Sequence, residues 1–245
     1  MCSPCNRRYL FIIATVRSGS TTLLQMLNHL PNVRLSGENL NELYVTSLLA
    51  SNLEKSSSSM AYDEEVEGAW MHHKIPTQAM ACPIQQVINT INPPWAPSLD
   101  GYDQSTILGH KTVRFQEAHW SPSEAAVFFK ESFPCSRIVV NIRSNTEGQA
   151  ASTMKLGWSH NASLTEEELV KETEFLTELA ENLGPDTARL IDMTMWTKNI
   201  SVLNDLLDWL GYKECHFKSL VHANHDGYGA DWSNPQIGDE CHYPH

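Results

Sequence analysis

The chain opens on a continuous apolar run, Tyr9-Leu-Phe-Ile-Ile-Ala-Thr-Val16. A run of this length with no polar alternation predicts a strand buried on both faces, the environment of a parallel sheet. Arg17 to Thr22 is small and polar, and then Leu23, Leu24, Leu27 and Leu30 recur at helical spacing until Pro31. The unit reads as strand, tight glycine-containing turn, helix. Val33 to Glu38 is a second extended segment, and a helix is expected over 39–50. Thr106-Ile-Leu-Gly-His-Lys-Thr112 is a short strand. Ser121-Pro-Ser-Glu124 has the pattern of a capping box with proline at the first helical position, opening a helix to about Phe133. Arg137-Ile-Val-Val-Asn-Ile142 is another buried strand, with Arg143 at its end and a helix following through Lys155. Thr165 to Leu183 is an acidic helix with Leu169, Leu176 and Leu183 on one face, stopped by Gly184-Pro185. Arg189 to Asp192 is a short strand. Thr197 is expected to cap a last helix that ends at Gly211.

Strands alternating with helices predict an α/β fold with a mostly parallel sheet flanked by helices. No repeat breaks the pattern, so residues 1–245 read as a single domain. Its departure from regularity is an insertion at about 52–105. It holds the serine run Ser56–Ser59, the acidic Asp63–Glu67, and Pro76, Pro83, Pro93, Pro94 and Pro97, so much of it is expected to be irregular and to lie over the core.

Charge changes the picture less than its size suggests. The formal net charge is −12, but eleven of those charges lie in Asp63–Glu67 and Ser163–Asp186. The acidity speaks against a general nucleic-acid or anionic-membrane binder. It leaves room for an anionic ligand held by local cations. Tyr9–Val16 is too short to span a bilayer and resembles no leader, so the expected setting is soluble and cytoplasmic. Six scattered cysteines do not look like a disulfide framework, and the sequons Asn161-Ala-Ser163 and Asn199-Ile-Ser201 read as chance occurrences outside a secretory compartment. Cys215-His216, His222, His225 and Cys241-His242 lack standard zinc spacing, so no metal is expected.

The candidate chemistry lies in Val16-Arg-Ser-Gly-Ser-Thr-Thr22. Amides at a helix start are unpaired and point at whatever sits there. Gly19 permits close backbone approach, Ser20, Thr21 and Thr22 add hydroxyls, and Arg17 adds a cation. The result is an anion cradle the size of a phosphate or sulfate. The GxxxxGK[ST] pattern of ATP-binding loops is missing.

Arg17-Ser-Gly-Ser-Thr-Thr-Leu23 resembles the 5′-phosphosulfate loop of sulfotransferases that use 3′-phosphoadenosine-5′-phosphosulfate (PAPS). The continuation to Pro31-Asn-Val-Arg-Leu-Ser-Gly-Glu38 is most similar to the tyrosylprotein and carbohydrate branches. The resemblance implies a P-loop-like core that binds PAPS as donor cosubstrate through Arg17, Ser18, Gly19, Ser20, Thr21 and Thr22. It also implies that Arg143 and a following serine hold the 3′-phosphate. That serine is Ser152, nine positions on; position eight is Ala151, and Ser144 or Thr153 are the alternatives. Leu108-Gly-His-Lys-Thr-Val-Arg114 is similar to the segment lining the sulfuryl site, which makes Lys111 a candidate second cation. Asn224 to Trp232 resembles the late loop that closes over the cofactor.

Glu38 is the expected general base, with Glu42 as fallback and His72, His73 or His110 as alternatives. Trp70, His72, His73 and Trp95 are candidates for the acceptor pocket. The implied activity is transfer of a sulfuryl group to a hydroxyl or amine of a small-molecule or carbohydrate acceptor. The rival readings are a sulfotransferase-like binding protein without catalysis and a P-loop small-molecule kinase.

Overall fold

A computed structural model of the chain describes residues 4–38, 42–59, 77–91, 105–113, 115, 120–155, 157, 162–221, 237, 238 and 241. Five strands, β1 (Tyr9–Ala14), β2 (Val33–Ser36), β3 (Ile107–Thr112), β4 (Ser136–Ile142) and β5 (Ala188–Asp192), form one sheet in the order β2-β3-β1-β4-β5. Every pairing is parallel. The expected α/β fold with helices flanking a parallel sheet is the fold observed.

The apolar run of β1 is explained by its central place. Leu10, Ile12 and Ala14 enter one core, while Tyr9, Phe11 and Ile13 enter the core on the other face. The first core is closed by α1 (Ser20–Asn28) and α8 (Ser201–Leu210), through Leu23, Met26, Leu27, Leu203, Leu206 and Leu207. The second is closed by α3 (Thr77–Ile91), α4 (Pro122–Ser132) and α6 (Ala162–Leu183). Phe11 and Phe133 meet edge to face with centroids 4.8 Å apart, and Phe129 packs beside both. Full burial of such a ring contributes about 1.5–3 kcal/mol.

Element boundaries follow local chemistry. Ser121 makes the expected capping box: its side chain accepts from the Glu124 amide, and the Glu124 carboxylate accepts from the Ser121 amide. Gly211, at φ 96°, ends α8 in the left-handed conformation that glycine adopts without strain. Three expectations need correction. Helix α2 (Glu42–Ser59) runs through the serine run. Residues 77–91 form α3 although Pro83 lies within it, so the proline-rich stretch is not wholly irregular. Thr197 does not cap α8. It follows the short helix α7 (Met193–Trp196) and hydrogen-bonds back to the Met193 carbonyl, while the α8 N-cap is Ile200.

The cysteines also depart from expectation. Cys5 is bonded to Cys135 and Cys215 to Cys241, and Cys82 is disulfide-bonded as well. No free cysteine remains among the described residues. Spacing hid this because the partners are 130 and 26 residues apart: Cys5 meets Cys135 where β1 and β4 pair, and Cys215 meets Cys241 beside the Phe217–Ile237 bridge. Among the described residues no cluster could hold a metal, and no helix is long and apolar enough to cross a membrane.

Candidate functional site: an anion cradle at the switch point of the sheet

In an open parallel sheet, ligands bind beyond the carboxyl ends of the strands, where neighbouring strands send their connections in opposite directions. Here β1 leads through α1 to β2 on one side, and β4 leads through α5 (Thr146–Lys155) towards β5 on the other. The crevice between β1 and β4 is therefore flanked by the loop after β1 and by Arg143 after β4. The two sequence signatures, far apart in the chain, are brought to one place.

Loop 15–19 is shaped by side chains that bind its carbonyl oxygens. Ser18 Oγ donates to the Thr15 carbonyl at 2.7 Å. Gln149 Nε2 donates to the Val16 carbonyl. Arg143 Nη1 donates to the Arg17 carbonyl at 3.3 Å. Asn141 Nδ2 donates to the Ser18 carbonyl at 2.8 Å. Four consecutive carbonyls are thus occupied. The amides of Ser18 to Thr22 donate to no protein group among the described residues, and neither do the hydroxyls of Ser20, Thr21 and Thr22. Helix α1 has no side-chain cap at its start, and its N-cap, Gly19, sits at φ 72°. Arg17 is itself left-handed at φ 57°, a conformation that costs about 1–2 kcal/mol outside glycine. The arrangement presents unpaired donors in one concavity, the electrostatic form of an anion site.

The floor of the cradle is Trp196. A Cβ on Gly19 would meet its ring at 3.1 Å, a crowded contact, and the left-handed φ of 72° there also favours glycine. Trp196 Nε1 donates to Asn141 Oδ1 at 2.9 Å, so Asn141 links the tryptophan to the loop. Sequence reading missed Asn141, Gln149 and Trp196. Asn141 had a visible signal: it is the one polar residue inside the apolar run Ile138–Ile142, and a buried amide demands partners.

Arg17 Nε donates to Ser152 Oγ at 3.0 Å, so the serine nine positions after Arg143 is the one that meets the loop. Ala151 is exposed, Thr153 is buried and bonds to the Gln149 carbonyl, and Ser144 bonds to Thr194. The turn 144–145 absorbs the extra residue, with Asn145 accepting from the Gly148 amide to start α5. Arg143 packs against Gly148, where a side chain would meet the guanidinium at 2.9 Å. Burial and the neighbouring Arg17 lower the Arg143 pKa from its ordinary value, and Asp192 opposes this. Burial pulls the Asp192 carboxyl upward, but hydrogen bonds from Ser144 and Thr194 outweigh it and hold it below its usual range.

Beyond β2 and β3, Glu38 Oε1 accepts an ion-paired hydrogen bond from Lys111 Nζ. The lysine side chain is 5% exposed and the glutamate 47%, so a buried cation holds a carboxylate that faces outward. His110 lies on the opposite face of β3 from Lys111, fully buried, with Nδ1 on Ser36 Oγ at 2.9 Å. Burial, then Lys111, lowers its pKa to about 4, so it is neutral and turned into the core. That placement speaks against His110 as the base. Trp70, His72, His73, Trp95, Arg114, His222, His225, the 224–232 segment and the side chain of Glu42 lie outside the described residues.

A family model described as "Sulfotransferase family" matches residues 10–213. Among solved structures, the sulfotransferase domain from the Synechococcus PCC 7002 olefin synthase is similar, at 17% identity and TM-score 0.51, covering 84% of this chain and 73% of that one. The sulfotransferase from Alicyclobacillus acidocaldarius matches at 14% identity and TM-score 0.48, covering 84% of this chain and 81% of that one. No curated protein matches the chain.

Proposed function

The chain belongs to the sulfotransferase family, and from that premise we propose that it moves a sulfuryl group from PAPS to a hydroxyl or amine of a small-molecule or carbohydrate acceptor. The observation that carries the donor assignment is the joined cradle. The loop with free amides and Arg17, and the Arg143–Ser152 pair, are hydrogen-bonded into one site, as a nucleotide with phosphates at both 5′ and 3′ positions requires.

In this reading Arg17 and the amides of Ser18, Gly19, Ser20, Thr21 and Thr22 hold the 5′-phosphate. Arg143 and Ser152 hold the 3′-phosphate. Charge grows on the 5′-phosphate as its bond to sulfur breaks, and donors already fixed in place stabilise that charge without reorganising. Arginine serves there as a permanent charge rather than a proton donor. As sulfur bonds to the acceptor atom, Glu38 takes the proton that the acceptor loses. Lys111 orients Glu38 and supplies the second cation beside the sulfuryl group. The carboxylate's outward exposure supports this role, because a base must reach an acceptor that enters from solvent.

The test is thermal stabilisation by 3′-phosphoadenosine-5′-phosphate (PAP) compared with ATP–magnesium, followed by radiolabelled transfer from PAPS to an acceptor panel. Stabilisation by PAP above that by ATP–magnesium, abolished in both Arg17→Ala and Arg143→Ala, supports the donor site. A larger shift with ATP–magnesium overturns it in favour of a kinase. Binding without transfer to any acceptor favours a binding protein without catalysis.

A further inference from the structure

We infer that Asn199 is an N-glycosylation site and that the chain matures in an oxidising, glycosylating lumen rather than in the cytoplasm. Two independent observations meet here. The first is the cysteines. Cys5–Cys135 and Cys215–Cys241 are bridged, Cys82 is disulfide-bonded, and no free cysteine remains among the described residues. Reducing compartments do not sustain structural disulfides in ordinary proteins. The bridges sit at structural points: one joins the approach to β1 with the approach to β4, and the other holds residue 241 against the segment after α8.

The second is the sequon Asn199-Ile-Ser201. Asn199 lies in the connection between α7 and α8, Ser201 is the first residue of α8, and both are exposed. Asn199 Oδ1 accepts from the Ser201 amide at 3.0 Å, which fixes the side chain by its oxygen. Its Nδ2 donates to no protein group among the described residues. The side chain fills no core position, so a bulky hydrophilic substituent displaces nothing. A sequon has chemical meaning only in a compartment that glycosylates, and the disulfides indicate such a compartment. The reaction joins Asn199 Nδ2 to the anomeric carbon of an oligosaccharide carried on a polyprenyl pyrophosphate. The new carbon–nitrogen bond replaces the carbon–oxygen bond to the pyrophosphate, which leaves as the lipid pyrophosphate, and the amide proton goes to base.

The experiment places the full chain behind a cleavable secretory signal in a eukaryotic cell. Intact mass is measured before and after peptide N-glycosidase, and thiols are alkylated without reductant. The expected result is a glycan mass step that the glycosidase removes, with aspartate appearing at position 199 in the peptide map, and no alkylated cysteine. Asn199→Gln and Ser201→Ala each lose that step, while Ser201→Thr, which preserves the sequon, keeps it. PAP-induced stabilisation of the variants serves as the check on folding. Secreted protein without a glycan at 199, a glycan confined to Asn161, or free thiols that alkylate without reductant would each overturn the inference.

Discussion

Removing the Asn141 side chain tests whether the cradle is built by its supports. Asn141 is fully buried and makes three hydrogen bonds, two to Ser18 and one from Trp196. Asn141→Ala deletes all three. Ser18 Oγ still donates to the Thr15 carbonyl, so two groups are orphaned: the Trp196 ring N–H and the Ser18 carbonyl. A buried polar group without a partner costs about 1–3 kcal/mol, so the loss is about 2–6 kcal/mol. For a chain of this length each kcal/mol moves the melting temperature by about 2–4 °C, which gives a fall on the order of 10 °C. A second effect is specific to the site. The released Ser18 carbonyl is free to turn into the cradle, where its negative end opposes a phosphate. PAP affinity should therefore fall tenfold or more, the equivalent of about 1.4 kcal/mol. Scanning calorimetry gives the first quantity and titration calorimetry on the folded variant the second. A fall of under ~2 °C, or an unchanged Kd for PAP, would refute the view that Asn141 preorganises the loop.

Three further outcomes follow from the same geometry. Gly109→Ala should yield no folded protein, because the new Cβ would lie 1.7 Å from the Leu10 carbonyl oxygen in the neighbouring strand; native-like circular dichroism in that variant contradicts the packing of β1 on β3. His110 has its pKa lowered to about 4 in the folded chain, against about 6.5 unfolded, so the unfolded state takes up a proton first as pH falls. Stability should be unaffected above pH ~6.5 and drop by about 3 kcal/mol between there and pH ~4, and melting curves of His110→Gln should lack that part of the slope. Glu38→Gln should keep PAP-induced stabilisation but lose most transfer, roughly a hundredfold or more; full transfer activity would remove Glu38 from the role of base.

The parts of the fold that sequence revealed are those where local pattern and tertiary environment agree. The β1–loop–α1 unit was readable because a strand in the middle of a parallel sheet must be apolar on both faces, and because the turn concentrates Arg17, Gly19 and three hydroxyls. The capping box at Ser121 was readable because capping is local. Helix α3 was obscured by Pro83, whose cost is offset by packing of Ile84 and Ile88 into the core. The choice among Ser144, Ser152 and Thr153 was open in the sequence, because the shape of turn 144–145 decides which hydroxyl faces Arg17. Trp196 gave no signal at all: the α7 segment is too short for a periodicity, and its importance comes from lying beneath Gly19. The disulfides were illegible for the opposite reason, since their partners are remote in sequence: the pairing of β1 with β4 makes Cys5 and Cys135 neighbours, and the Phe217–Ile237 bridge brings Cys241 to Cys215.

The Cys5–Cys135 bridge makes residues 5–135 a covalent ring. That ring contains the loop after β1, β2, β3, α2 and α3, while β4, Arg143 and everything after them hang from its closing point. A single proteolytic cut between α2 and α3 opens the ring without dividing the molecule, so the nicked chain runs as one species until reductant is added. Loss of activity after such a cut, with donor binding retained, would therefore report damage to the cut segment and not dissociation of the two halves. Under the proposed function, protease nicking would separate effects on acceptor handling from effects on donor binding.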